Sequence, residues 1–288
     1  MWVVFALGSA VFQVLRNMAM KRLGHSLDDT INVWGRFTFL LPFMAVAVAW
    51  RGIPPLQAGI WWWCLAFGVC QTLATLSLSR ALKLSDISLV TSLWKLSLLM
   101  LVGWGFLTLG ETPTPLGLAG ILVSVAGVYF LNVSHLRISW RAPLLALFQD
   151  RGQLFTLGSA FFYAPSVVII KQISLMSDPY FATLMSYVFA SSIVTPYAIY
   201  RSRHQFRHVP QYWLDFTGMG LFAALTTLFG AIAYTMTLTS YAEAVKQVEI
   251  LLALAIGYTV FHERARVRAI WPACLVMLVG LVMVKLWG

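Results

Sequence analysis

Charged residues are scarce in this sequence. They make up 10% of the 288 residues, whereas hydrophobic residues make up 60%, and the mean hydropathy is +0.80. Soluble globular proteins contain about 25% charged residues. A chain with so few charges cannot cover a surface that faces water. The composition therefore excludes a soluble globular protein and predicts a protein that faces lipid.

Motifs of several enzyme and metalloprotein classes are also missing. The sequence has no glycine-rich loop followed by Lys-Ser or Lys-Thr, which excludes a P-loop ATPase. Its five histidines do not form a metal-ligand pattern such as His-Glu-x-x-His. Its three cysteines lie inside apolar stretches, where we interpret them as packing residues. We therefore expect no enzymatic activity, no cofactor and no bound metal.

Long apolar segments account for most of the chain. A transmembrane helix needs about 20 mainly apolar residues, and ten segments meet this requirement. They span residues 1–20, 30–50, 56–79, 86–108, 114–133, 153–172, 179–200, 211–239, 243–261 and 266–287. The predicted fold class is an all-α integral membrane protein with ten transmembrane helices.

The two halves of the sequence resemble each other. Residues 7–10, Leu-Gly-Ser-Ala, recur as residues 157–160, at an offset of 157 − 7 = 150. The same offset relates Phe12 to Phe162, Lys21 to Lys171, Asp28 to Asp178, and Arg51 to Arg201. Five helices per half is an odd number, which places the halves in opposite orientations. We predict two inverted five-helix repeats, residues 1–135 and 153–288, joined by a linker at 136–152.

A second pair of matching segments connects the sequence to a known family. Residues 107–111, Leu-Thr-Leu-Gly-Glu, align with residues 259–263, Thr-Val-Phe-His-Glu, at an offset of 263 − 111 = 152. A glycine-containing apolar helix follows each segment. Together with the duplication and the ten helices, this pattern resembles the drug/metabolite transporter superfamily, specifically its EamA-type ten-helix members. The second half departs from the pattern, with His262 in place of Gly110 and Pro272 where Gly120 aligns.

This resemblance implies export or import of metabolites, amino acids or lipophilic drugs. The family has no universal substrate motif, so the resemblance assigns no binding residue here. Glu111 and Glu263 lie at loop edges, where we expect them to organise a turn rather than to contact the transported solute.

Basic residues are distributed unevenly along the predicted topology. Thirteen follow the odd-numbered predicted helices and three lie on the opposite side, and basic loops remain cytoplasmic. The net charge of +10 is thereby explained as a topology signal rather than as a nucleic-acid-binding surface. The asymmetry places both termini outside the cytoplasm, whereas the resemblance implies cytoplasmic termini. We expect a multi-pass protein of the bacterial inner membrane.

Ionisable residues inside the predicted helices are candidates for the functional site. Lys95 lies about 14 Å from the start of segment 86–108, at 1.5 Å per residue, and a charge at such depth costs roughly 2.5–3.5 kcal/mol. Glu249 lies in segment 243–261, with Lys246 three residues before it on the same helix face. Inverted symmetry should bring these two segments together, so we expect Lys95 and Glu249 to face each other. Lys95 would bind an anionic substrate group and Glu249 would carry a coupling proton, with Lys246 tuning Glu249; the alternative is static neutral pairs.

Other polar or aromatic residues inside apolar helices are predicted to shape a substrate pocket. Arg16 either lines this pocket or extends toward the membrane surface, and Arg36 is a further cation in the second predicted helix. The remaining predicted substrate-binding residues are Trp94, Gln71, Tyr163, Tyr234 and Gln247. Pro165 removes a backbone hydrogen bond within its predicted helix, which favours either a hinge or a proline that the membrane helix tolerates.

The leading functional hypothesis is a secondary active transporter that works by alternating access. It would export an amino acid or another carboxylate-bearing solute, with proton coupling as one mechanism. Two alternatives remain open, a flippase for a lipid-linked sugar and a non-transporting membrane scaffold. The expected partners are a small-molecule substrate and the lipid bilayer, with no nucleic acid, and the chain is expected to be a monomer or a weak homodimer.

Overall fold

The computed structural model describes residues 1–24, 26–84, 90, 93–133, 151–252 and 264–287, with side chains except at 21, 82–83, 128–133 and 264–274. Every element in these ranges is helical. The α-helices are α1 (Trp2–Gly24), α2 (Asp29–Thr38), α3 (Leu41–Arg51), α4 (Ile60–Leu84), α5 (Ser97–Leu109), α6 (Pro115–Val133), α7 (Arg151–Met176), α8 (Pro179–Ser202), α9 (Trp213–Met236), α10 (Thr239–Lys246) and α11 (Arg264–Trp287). A 3-10 helix, Arg203–Tyr212, joins α8 to α9.

Several of these helices are long and apolar enough to cross a membrane. Within the described ranges there are five such stretches, Trp2–Gly24, Asp29–Arg51, Ile60–Ala81, Arg151–Met176 and Pro179–Met236. Shorter apolar helices occupy Ser97–Leu109, Pro115–Gly127 and Leu275–Trp287. The chain is therefore an all-helical protein with several apolar membrane helices, while the ten-helix count and the inverted arrangement stay predictions.

A turn at residues 39–40 divides the predicted helix 30–50 into α2 and α3. Pro42 lies in the first turn of α3. A proline has no backbone N–H, and its ring clashes with the carbonyl four residues earlier, which here belongs to Thr38. The helix therefore restarts instead of continuing. By contrast, α7 continues through Pro165 and α8 through Pro196.

The repeat-related residues Asp28 and Asp178 each begin a helix. Oδ1 of Asp28 accepts a hydrogen bond from Thr30 N at the start of α2. Oδ1 of Asp178 accepts one from Phe181 N, at 2.7 Å, at the start of α8. Aspartate is among the favoured N-cap residues because its carboxylate satisfies a backbone N–H that has no partner within the helix. The sequence repeat thus corresponds to the same local role at both positions.

The chain divides into two compact units, and each contains segments from both halves of the sequence. Unit 1 comprises Met1–Leu73 and Ser166–Thr237, and unit 2 comprises Ala74–Pro165 and Leu238–Gly288. In unit 1, α1 packs closely against α9. A Cβ on Gly8 would lie 2.5 Å from Cδ1 of Phe229, so the absence of a side chain at this position permits the approach of the ring.

In unit 2, α6 and α11 approach each other through small residues. A Cβ on Gly280 would lie 2.6 Å from the backbone oxygen of Gly120, and a Cβ on Gly127 would lie 2.5 Å from the backbone nitrogen of Met277. Membrane helices associate through such close backbone packing because lipid supplies no hydrophobic driving force between them. The glycines of these two helices therefore serve helix–helix contact.

Candidate functional site

A buried ion pair joins Lys95 and Glu249 in unit 2. Nζ of Lys95 lies 3.2 Å from Oε1 of Glu249, and the two side chains are 10% and 13% exposed. Sequence symmetry leads us to expect that these residues face each other, and the structure places their charged atoms in contact. Because neither charge is well solvated, each depends on the other for compensation.

The backbone at Lys95 departs from the α-helix that the sequence predicts over 86–108. Lys95 and Leu96 form a turn, and α5 begins only at Ser97. Leu96 N donates to Leu93 O at 3.0 Å, and Leu98 N donates to Lys95 O at 3.1 Å. These bonds span three residues rather than four, which is the spacing of a 3-10 turn. The continuous predicted helix is therefore wrong at this point.

Gln247 interrupts the second helix of the site in the same way. The chain is helical to Lys246, forms a turn at Gln247 and is helical again from Val248. Gln247 N donates to Ala244 O at 3.1 Å. The two breaks are separated by 247 − 95 = 152 residues, which is also the offset between the Leu-Gly-Glu segment and its repeat. Irregular backbone within membrane helices is a feature of binding sites in transporters.

A second ion pair lies on α10. Lys246 donates a hydrogen bond from Nζ to Oε1 of Glu243, and Tyr163 Oη donates to Oε2 of Glu243 at 3.4 Å. This ion pair joins Lys246 to the glutamate three residues before it, while the expected action of Lys246 on Glu249, three residues after it, stays a prediction. Sequence analysis missed Glu243 because it is the first residue of the predicted segment 243–261, where a charge is ordinary. We call Lys95, Glu249, Glu243 and Lys246 the charged cluster.

Aromatic side chains connect the two pairs of the charged cluster. Nζ of Lys95 lies 5.3 Å from the centre of the Trp94 ring, and the Trp94 and Tyr163 ring centres are 4.8 Å apart. Trp94 Nε1 donates to Ser159 Oγ at 3.1 Å, and Ser159 Oγ donates to Ala74 O at 2.8 Å. These hydrogen bonds fix the indole beside Lys95. Trp94 and Tyr163 are predicted site residues, whereas Ser159 is not.

The structure brings most of the predicted site residues into unit 2. Lys95, Trp94, Tyr163, Gln247, Glu249 and Lys246 belong to that unit. Arg16, Gln71 and Tyr234 belong to unit 1, where all three are buried. Arg16 Nη2 donates to Asn17 Oδ1 at 2.9 Å, and Gln71 Oε1 accepts from Ser166 Oγ at 3.0 Å. Among the described residues, no group of three or more His, Cys, Asp or Glu could hold a metal ion.

Glu111 organises the start of α10. Its Oε2 accepts hydrogen bonds from Thr239 N at 3.0 Å and from Thr239 Oγ1 at 2.7 Å. Leu238, the N-cap residue of α10, has no side-chain group that could do this. Gly110, with a φ of +65°, ends α5 in the left-handed conformation that favours glycine, so the chain turns and the Glu111 carboxylate reaches α10. The motif Leu-Gly-Glu therefore has a structural role beside the charged cluster.

Comparisons with known proteins agree with this architecture. The family model of the EamA-like transporter family matches residues 1–133 and again residues 150–286. No curated protein matches the chain significantly. A solved structure titled "Crystal structure of protein" superimposes with a TM-score of 0.71, over 99% of this chain and 96% of that chain, at 16% sequence identity. That likeness shows the fold alone.

Proposed function

We propose a function for this chain from the premise that it belongs to the EamA-like transporter family. Members of this family are transporters rather than enzymes. The chain is a multi-pass membrane protein, and its family points to the transport of small solutes. Our proposal is that it is a secondary active transporter that exports amino acids in exchange for protons, by alternating access.

The observation that carries this proposal is the buried ion pair of Lys95 and Glu249. Removing one partner of a buried pair leaves an uncompensated charge, which costs about 3–5 kcal/mol. A simple carboxylate that displaced Glu249 from Lys95 would take the Lys95 charge away from Glu249. The zwitterion of an amino acid compensates both residues, because its carboxylate binds Lys95 while its ammonium group binds Glu249. The pair therefore favours a zwitterion over a simple anion or cation.

Proton coupling follows from the same pair. A protonated Glu249 has no charge with which to hold the substrate ammonium group, so a proton and the substrate compete for one carboxylate. Carboxylates inside membrane proteins commonly serve as proton carriers in transporters. Two ligands that compete for one site are exchanged in opposite directions across the membrane. An inwardly directed proton gradient would then drive efflux of the amino acid.

The surrounding residues support this assignment. Helix breaks at Lys95 and Gln247 recur at repeat-equivalent positions, as two inverted five-helix repeats would produce. Each break leaves backbone groups that a polar substrate can bind. We assign the Lys246–Glu243 pair to positioning, since Tyr163 donates to Glu243 and packs against Trp94, and we retain the proposal that Lys246 tunes Glu249.

A counterflow assay in proteoliposomes tests this function with three matched solutes. For each of several labelled amino acids, the N-acetyl derivative lacks the ammonium group and the methyl ester lacks the carboxylate. We expect exchange of at least one amino acid and at least tenfold slower exchange of both of its derivatives. Equal exchange of the N-acetyl derivative would overturn the zwitterion assignment. Absence of any exchange by folded protein would favour the non-transporting scaffold.

A further inference from the structure

The 3-10 helix Arg203–Tyr212 has one side that packs into the protein. In a 3-10 helix, residues three apart lie on the same side. Phe206, Val209 and Tyr212 are spaced in this way, and all three pack against a buried apolar cluster of unit 1. That cluster consists of Leu23, Leu27, Ile31, Phe216 and Met219. These three contacts anchor the segment to unit 1.

Three arginines at this connection have exposed side chains. Arg201, near the end of α8, and Arg203 and Arg207 of the 3-10 helix are all exposed. Arg203 Nε donates to His204 Nε2 at 3.4 Å, and Arg207 Nε donates to His208 Nε2 at 3.2 Å. A histidine side chain carries no negative charge in any of its ordinary forms. Neither contact therefore compensates the charge of the arginine.

Acidic residues do not neutralise these arginines. The sequence has no Asp or Glu between residues 179 and 214. Asp28, the N-cap residue of α2, and Asp215, in the first turn of α9, each have another contact. Asp28 accepts a hydrogen bond from Ser202 Oγ at 2.6 Å, and Asp215 lies 3.5 Å from Nε of Arg22. With the residues that the structure describes, none of the three arginines forms an ion pair.

The position of the 3-10 helix indicates which part of the bilayer the three arginines face. It joins two helices within an apolar stretch, Pro179–Met236, that is long enough to cross a membrane. A polar connection between two such helices lies at the end of the membrane spans, at the level of the lipid headgroups. Guanidinium groups bind phosphate through paired hydrogen bonds, and anionic leaflets attract basic segments next to membrane helices.

We propose that Arg201, Arg203 and Arg207 form a binding surface for the headgroups of anionic phospholipids in the surrounding bilayer. The three side chains bind lipid phosphate, while the apolar side of the 3-10 helix anchors the segment to unit 1. This proposal depends on the chain being a membrane protein and does not depend on the proposed substrate. Its test is therefore independent of the test of the transport function.

Native mass spectrometry of the detergent-purified chain tests this surface. Phosphatidylglycerol and phosphatidylcholine with identical acyl chains are titrated against the wild type and the variants. The wild type is expected to bind phosphatidylglycerol more tightly than phosphatidylcholine. In the double variant Arg203→Gln/Arg207→Gln, the ratio of the two affinities should fall about fivefold for each arginine removed, the equivalent of about 1 kcal/mol for each basic residue. Arg203→Lys/Arg207→Lys retains the charge and should retain most of the preference.

Lys285→Gln serves as the matched control, because it removes one exposed cation from the end of α11. It should leave the preference for phosphatidylglycerol unchanged. For the wild type, raising the salt concentration from 0.1 M to 1 M should reduce the preference, since the Debye length falls from about 10 Å to about 3 Å. No preference in the wild type, an unchanged preference in the double Gln variant, or an equal loss in Lys285→Gln would each overturn the proposal.

Discussion

Lys95 and Glu249 lie 154 residues apart in the sequence, and their charged atoms are 3.2 Å apart. Each residue lies within two positions of a break in its helix. A buried charge pair at two helix breaks is stable only while both partners are present or a ligand replaces one of them. This property makes the pair suited to binding a charged solute.

Lys95→Ala should destabilise the chain, because it removes the cation that lies 3.2 Å from the buried Glu249 carboxylate. The expected loss is about 3–5 kcal/mol. Lys95→Ala/Glu249→Ala should regain a large part of that loss. Unfolding of both single variants and the double variant in detergent, treated as a double-mutant cycle, measures this coupling. Additive effects of the two substitutions would contradict a direct pair.

Glu249→Gln should abolish proton coupling and slow the exchange, because the amide has no charge with which to hold the substrate ammonium group. The amide cannot gain or lose a proton near neutral pH, so the exchange that remains should not respond to a pH gradient. The measurement compares amino acid efflux from proteoliposomes with and without a pH gradient. Glu243→Gln, which changes the other glutamate of the charged cluster, is the control and should still respond to the gradient. Acceleration of the Glu249→Gln variant by the gradient would exclude Glu249 as the proton carrier.

Gly280→Ala should destabilise the contact between α6 and α11. The added Cβ would lie 2.6 Å from the Gly120 carbonyl oxygen, and overpacking of this kind typically costs about 1–3 kcal/mol. Gly103→Ala, on α5, is the control because a Cβ there meets nothing within 4 Å. That substitution should be neutral or stabilising by up to about 1 kcal/mol. Thermal unfolding of both variants in the same detergent distinguishes them, and equal midpoints would refute the close packing.

Glu111→Ala should weaken the start of α10. It removes both hydrogen bonds to Thr239 and leaves a buried N–H unsatisfied, at an expected cost of about 1–3 kcal/mol. Glu111→Gln retains an acceptor oxygen and should lose less. The free energy of unfolding, measured for both variants, tests the cap. If both variants retained wild-type stability, the cap would contribute nothing.

Apolar length and capping residues predict much of the helical pattern. The predicted segment 179–200 corresponds to α8, which Asp178 caps and Pro179 begins. The segment 211–239 corresponds to α9, although the sequence did not predict the 3-10 helix before it. The break in helix 30–50 could also be inferred, because Pro42 marks it. In these cases a local signal determines the backbone.

The charged cluster is less accessible to sequence reasoning. Residues 93–97 contain neither glycine nor proline, so nothing local predicts the break at Lys95. Lys246 has a glutamate three residues before it and another three residues after it, and residues three apart on a helix are neighbours in either direction. Residues from distant parts of the sequence contact each glutamate: Tyr163 donates to Glu243, and Lys95 pairs with Glu249. Tertiary contacts therefore decide the pairing.

The most direct test of the central claim is counterflow of a transported amino acid by Lys95→Gln in proteoliposomes, with Lys285→Gln as the control. Both variants lose one lysine charge, but only Lys95 faces Glu249. We predict that folded Lys95→Gln exchanges the amino acid at least tenfold more slowly than the wild type. Lys285→Gln should exchange it at the wild-type rate. Wild-type exchange by folded Lys95→Gln would contradict the assignment of the substrate site to the Lys95–Glu249 pair.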